Sequence, residues 1–245
     1  CLVGSEMWIR DSFLTVWELF ADFHIIDSFF FSSPSRVVAC FVRMVSERSL
    51  FTHIGITLTE TVISFFLVAL VSLSTATLLW YSRRLSEILE PFLVVLNSLP
   101  KSALAPLLIV WLGTGMDTII AAGISVAIFG AIINLYTGFL QADPEKLLLI
   151  RTLGGTRRDC FFKVVLPASI PVILSNMKVN IGLSLVGVVI GEFLAARRGL
   201  GYLIIYGSQV LQLDMLITSI LLLCIIAMGL YQLLQFAEHC YKKKV

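Results

Sequence analysis

Few residues in this chain could do chemistry, and those few stand where ionisable groups are costly. Lys101 lies between Pro100 and Pro106 in an apolar run, Lys178 lies in another, and Glu192 closes that second run. A charge inside a membrane-spanning helix costs roughly 2.5–3.5 kcal/mol on insertion scales, so it usually faces a cavity or a partner. Lys101 stands 11 residues past Glu90, or roughly 16 Å along a continuous helix. A cation at that depth suits an anionic substrate. Snorkelling, or a bond to a backbone carbonyl, is the equal alternative. Lys178 is seven residues past Pro171, close enough to an end to favour snorkelling. Glu192 pairs with Arg197 or Arg198 in an outer gate, or simply caps the membrane edge. Asn134, Asn176 and Asn180 are uncharged polar groups within spans, where helix–helix hydrogen bonding competes with substrate contact. The chemistry available is binding, not bond making.

Catalytic and metal chemistry find no footing. The five cysteines (Cys1, Cys40, Cys160, Cys224, Cys240) form no CxxC spacing, and an odd, scattered set argues for free thiols. His24, His53 and His239 lie far apart, with no Glu or Cys at ligand spacing beside them, so no metal site is expected. No Gly-rich phosphate loop follows a strand, so the chain does not itself hold ATP by a Walker-type motif. The net charge of +2 implies no nucleic acid.

The setting is a bilayer. Of 245 residues, 58% are hydrophobic and 14% charged, with mean hydropathy +0.95, outside the soluble range. A spanning helix needs about 20 apolar residues. Runs 62–81, 118–142 and 215–237 meet that length without a charge, and runs 91–116 and 164–191 hold one lysine each. These are five strong spans. The closely spaced Pro100 and Pro106 favour a broken helix in the third, a common way to build a mid-membrane site. A weak sixth span covers 7–20, interrupted by Arg10, Asp11 and Glu18; it lacks the basic start and cleavage site of a signal peptide. The segment SSPSR at 32–36 reads as a turn and 37–50 as a short interfacial helix. Period-2 alternation is absent, which excludes a membrane barrel. Small residues recur at Gly123, Ala127 and Gly130, and at Gly182, Gly187 and Gly191; they let helices approach closely, so the fourth and fifth spans are expected to form the bundle core or a contact between two such chains.

Between those two spans lies the most charged segment of the chain, DPEKLLLIRTLGGTRRDCFFKVVLPASIP at 143–171. Pro144 suits a first helical turn, Gly154-Gly155 interrupts, and Pro167 and Pro171 end the segment. Two short amphipathic helices joined at the glycines are expected, presented to a partner. The competing reading is a helix lying on the headgroups. With the loop inside and six spans, inner loops carry ten Lys and Arg and outer loops five. The positive-inside rule then puts the loop 143–168 and both termini in the cytoplasm. The KKK run at 242–244 serves orientation first and lipid contact second.

At these residues the chain resembles the permease subunits of ATP-binding-cassette importers. RTLGG at 151–155 and FFKVVLPASIP at 161–171 are similar to that family's cytoplasmic loop. LPKSALAPLLIVWLGTG at 99–115, GEFLAARRGLGYLI at 191–204 and SSPSR at 32–36 fit in the right order, over about 210 residues. The likeness is greatest to the branch handling nitrate, sulfonates and taurine. The resemblance implies a pair of permeases, here expected to be identical, two ATPase subunits that bind ATP and Mg, and an extracytoplasmic substrate-binding protein. It implies apolar knobs at Leu148, Leu149, Leu153 and Phe161, register charges at Arg151, Arg157 and Arg158, and the family's turn glycine at Gly154. The family's Glu-Ala-Ala falls on Leu148-Leu149-Ile150, so its acidic residue is missing, and Glu145 stands one turn earlier.

The expectation is therefore an all-α polytopic membrane protein of about six spans in a single permease domain, 1–245, with a coupling-helix loop at 143–168. It is a prokaryotic cell-membrane importer subunit, not itself an enzyme and holding no cofactor, moving a small anionic solute. Lys101, Asn134, Asn180 and Glu192 are its pathway candidates. An ion-coupled secondary transporter using the broken third span is the alternative, and a membrane-embedded enzyme comes third.

Overall fold

A computed structural model of the chain describes residues 33–242, and every described regular element is helical. The helices are α1 (Pro34–Ser46), α2 (Ser49–Tyr81), α3 (Arg83–Ser98), α4 (Lys101–Leu112) and α5 (Met116–Leu140). After them come α6 (Pro144–Thr152), α7 (Arg157–Cys160), a π-turn (Phe161–Val165), α8 (Leu166–Ala195), α9 (Leu200–Gln209) and α10 (Leu213–Lys242). Among the described residues, α2, α5, α7–α8 and α10 are long and apolar enough to cross a membrane, and the bent pair α3–α4 makes a fifth span. These are the five strong spans. The weak span at 7–20 and the lysines at 243 and 244 lie outside the described residues.

Two local expectations are corrected. From Ser33 on, the segment expected to be a turn is a helix start: Ser33 caps α1 by accepting from the Arg36 N–H at 3.4 Å, and Pro34 fills the first helical position. The second span begins at Ser49, well before the charge-free stretch, because its helix continues straight through Glu60. The third span breaks where the prolines indicated. Leu99 is extended and the chain turns by 97° between α3 and α4, since a residue before proline is pushed out of the helical region.

The chain forms two compact units. The first holds α1, the start of α2 through Thr57, α9 and α10 through Ile226. Its core joins Cys40, Met44 and Leu50 to Leu200, Leu203 and Leu222. Its glycine-led α9 begins at backbone N–H groups that donate to α2 side chains. Gly199 N–H donates to His53 Nδ1 and Leu200 N–H to Thr57 Oγ1, both at 2.9 Å. These bonds give His53 a structural role as an acceptor.

The second unit holds the rest of α2, α3 through α8 and the end of α10. Here α5 and α8 pack backbone to backbone, which places the small residues Gly187 and Gly191 in the bundle core. A Cβ on Gly187 would sit 2.8 Å from the Ala122 carbonyl oxygen, and one on Gly191 would sit 2.9 Å from the Ile119 Cα. Gly182 is no part of that seam, because nothing lies within 4 Å of its open face. Cys40, Cys160, Cys224 and Cys240 are free thiols.

Candidate functional site

The segment after α5 is built by local capping at almost every step. Asp143 caps α6, its Oδ1 accepting from the Glu145 N–H at 2.9 Å, and Lys146 reaches back to it at 3.8 Å. The helix closes on Gly154, whose φ of +80° lies in the left-handed region, and the Gly155 N–H donates to the Ile150 carbonyl at 2.9 Å. Gly155 is required for space instead: a Cβ there would lie 2.4 Å from Ile150 Cγ2. Thr156 and Asp159 then form a capping box for α7, with N–H to side-chain distances of 3.3 and 2.9 Å. Lys163 adds an ion pair to Asp159 at 3.1 Å.

This scaffold leaves an apolar surface uncovered by the rest of the chain. Leu148, Leu149 and Leu153 are 62%, 59% and 78% exposed. Arg151, Arg158 and Glu145 are exposed beside them. Arg157 stacks its guanidinium 5.7 Å from the Trp80 ring centre. The two short helices joined at glycines are as expected, although α6 buries little of itself: only Leu147 and Ile150 are half-buried, Leu147 against the cluster of Ala76, Leu135 and Phe139. Phe161 departs from the expected set of knobs. It is 3% exposed, within 5.2–5.6 Å of the rings of Trp80, Tyr81 and Phe139. It anchors the loop, and Phe162 is the exposed member of the pair, at 61%.

The four pathway candidates do not converge. The Lys101 ammonium donates to the carbonyls of Leu96, Asn97 and Leu99, at 3.1 Å to the first and 3.2 Å to the last, with the Phe129 ring centre at 6.0 Å. It caps the carbonyl end of α3 at the break, a place where a cation also complements the helix dipole. Asn134 lines a cavity of about 460 Å³ with Thr137, Gln141, Ser175 and Asn176, between α5 and α8. That lining carries no charged group. Asn180 is buried outside it, and Asn176 donates to the Ala131 carbonyl at 3.4 Å. Glu192 is fully buried, and Glu60 of α2 lies beside it.

Sequence reasoning missed three of these partners. Glu60 sits two residues before a charge-free stretch, and counting from that stretch hid it. Glu238 forms an ion pair with Lys178, which displaces the snorkelling expected of that lysine. Phe162 offers no sequence signal that separates it from Phe161. Among the described residues no group of His, Cys, Asp and Glu could hold a metal ion.

Comparison with known proteins supplies the context. Residues 68–237 match the family described as binding-protein-dependent transport system inner membrane component. A Haemophilus influenzae protein named "Probable ABC transporter permease protein" is 30% identical, over 92% of this chain and 91% of its own length. The formylaminopyrimidine transport permease protein of Halalkalibacterium halodurans is 28% identical, over 77% of this chain and 75% of its own. The taurine transport system permease protein of Escherichia coli is 26% identical, over 87% and 80%. In fold, the chain is similar to a chain of the inward-facing MetNI methionine ABC transporter. The TM-score is 0.67 at 20% identity, covering 81% of this chain and 97% of that one.

Proposed function

Since this chain belongs to the binding-protein-dependent transport system inner membrane component family, we propose a division of labour between its loop and its spans. The chain is a multi-pass inner-membrane permease of the ABC importer type, a reading that displaces the ion-coupled secondary transporter. Permeases of this family are not themselves catalytic. In our reading ATP and Mg are bound by two ATPase subunits, which dock on the loops of two identical permease chains. A binding protein delivers solute from outside, and both termini lie in the cytoplasm.

The observation that carries this reading is the surface of Leu148, Leu149 and Leu153, held rigid by the buried Phe161 and exposed to water. Three exposed leucines on a capped, glycine-closed scaffold suit a groove on a partner. Arg151, Arg158 and Glu145 set its register, and Arg157 steadies it through Trp80. Rigidity matters because a soft loop would absorb the motion of the ATPases before it reached α5 and α8. The experiment is Gly154→Pro. Proline cannot adopt φ of +80° and loses the N–H that donates to Arg151 at 3.1 Å. The variant should insert normally and hydrolyse ATP with its partners while uptake is lost; unchanged ATP-driven uptake would overturn the coupling role.

For the solute we propose a small sulfonate-like anion, taurine among them, with Lys101 as the cation nearest the break of the third span. The uncharged lining around Asn134 favours a second reading, a neutral heterocycle of the pyrimidine kind. Uptake of labelled taurine and of a labelled aminopyrimidine into vesicles holding the whole transporter separates the two.

A further inference from the structure

Arg157-Arg158 and Phe161-Phe162 are two doublets set four residues apart, and the members of each doublet have different surroundings. Arg157 lies over the Trp80 ring, 5.7 Å from its centre, whereas Arg158 is exposed. Phe161 packs against Trp80, Tyr81 and Phe139, whereas Phe162 is 61% exposed. A shift of this stretch by one residue would therefore put arginine in the place of arginine and phenylalanine in the place of phenylalanine.

The helix holds the extra residue that such a shift needs. From Arg157 to Ala195 the chain runs as one continuous helix, and Phe161–Val165 is its π-turn. There the Leu166 N–H donates to the Phe161 carbonyl, five residues back. In an α-turn the same N–H would donate to Phe162, four residues back. One hydrogen bond replaces another. Pro167 explains why the widening falls at this point. A proline has no N–H for the carbonyl four residues earlier, and its ring clashes with that carbonyl. Here that carbonyl belongs to Lys163, inside the π-turn, so no bond from residue 167 resists either arrangement.

The parts that would move are tied to one another. The loop, α8 and the rings of Trp80, Tyr81 and Phe139 all belong to the second compact unit. The caps at Asp143 and Thr156 join residues of the loop, and the Cys160 thiol meets the Leu147 carbonyl at 3.9 Å. These contacts travel with the loop when it turns.

We propose that the π-turn is a register switch. It converts to an α-turn, and Phe162 and Arg158 replace Phe161 and Arg157 at Trp80 and its neighbouring rings. One residue of slip turns the loop by about 100° relative to α8 and shifts it by about 1.5 Å along the axis. Exchange of like for like keeps the aromatic cluster filled in both registers. The exposed leucines, however, point in different directions in the two. Packed elements of this kind have discrete arrangements and do not yield continuously, which suits a segment that must pass a push onward. The proposal rests on the coupling role of the loop.

The test uses the full transporter in lipid nanodiscs, with 4-fluorophenylalanine placed at residue 161 or 162 so that both rings are kept. The fluorine NMR shift reads the ring currents of Trp80, Tyr81 and Phe139. It is measured without nucleotide and again with ATP and vanadate, which arrest the ATPase. Without nucleotide, the label at 161 should carry the ring-current shift. In the arrested state that shift should be lost at 161 and appear at 162. In Phe162→Ala the label at 161 should keep its shift in both states, because the slipped register then has no ring to offer. Labels that keep their shifts in both states, in a preparation that hydrolyses ATP, would overturn the register switch and leave the coupling role standing. A label at 161 that loses its shift equally in Phe162→Ala would overturn the switch too. A preparation in which no ATPase subunit accompanies the chain would overturn the coupling role, and the switch with it.

Discussion

Phe161 and Phe162 are neighbours in the chain with opposite surroundings, and the difference divides anchoring from docking. Phe161 fills a cluster of Trp80, Tyr81 and Phe139, whereas Phe162 faces out. Truncating a packed core aromatic costs about 3–5 kcal/mol, and an exposed one about 0.5 kcal/mol or less. Phe161→Ala should therefore lower the melting temperature of the purified chain and weaken ATPase binding with it. Phe162→Ala should leave the melting temperature alone; equal losses in the two would dissolve the distinction. The glycines divide in the same way. Gly154→Ala meets no neighbour and costs only the roughly 1–2 kcal/mol of a left-handed alanine, whereas Gly155→Ala must push Ile150 aside. The larger loss of coupling, read as uptake per ATP hydrolysed, is expected for Gly155→Ala. The composition of this loop was legible, down to the Pro144 start and the Gly-Gly joint, whereas its caps at Asp143 and Thr156 were not read. Which phenylalanine turns inward was not, because a π-turn sets that direction and it leaves no mark in residue type.

At the scale of elements, proline placement was the most readable feature, and paired charges the least. Pro100 and Pro106 gave the break of the third span, and the structure adds its consequence: Lys101 satisfies the carbonyls that the break exposes. The Ser33-Pro34 start of α1 was equally available as a cap followed by proline, and was obscured by reading Ser-Ser-Pro as a turn. The pairings of Lys178 with Glu238 and of Glu60 with Glu192 join helices distant in sequence, so no spacing rule could reveal them. The first makes a prediction. Breaking a fully buried ion pair by removing one partner costs about 3–5 kcal/mol. This pair is partly buried, its side chains 20% and 12% exposed, so Lys178→Glu should destabilise the chain by less than that. The swapped double variant, Lys178→Glu with Glu238→Lys, should recover most of the loss in thermal unfolding. A swap no more stable than the single variant would mean that the two side chains do not act on each other.

For the whole molecule, five described spans and a capped loop make sense together. The loop is joined directly to α5 and α8, the two helices that approach most closely through Gly187 and Gly191. Under the proposed coupling role, a push on the exposed leucines passes to this closely packed helix pair. The membrane class and the five described spans could be read from hydropathy alone, since lipid leaves few alternatives to helices. The division into two compact units could not, because it depends on contacts between α9 and the beginning of α2 that the sequence pattern does not encode.

The most direct test is purification from native membranes in mild detergent, comparing the wild type with Leu148→Asp and Leu153→Asp. An ATPase subunit should accompany the wild-type chain one for one. It should be lost from both variants while their melting temperatures stay unchanged, since each altered side chain is exposed. A chain that emerges alone and drives uptake from an ion gradient without ATP would contradict the account.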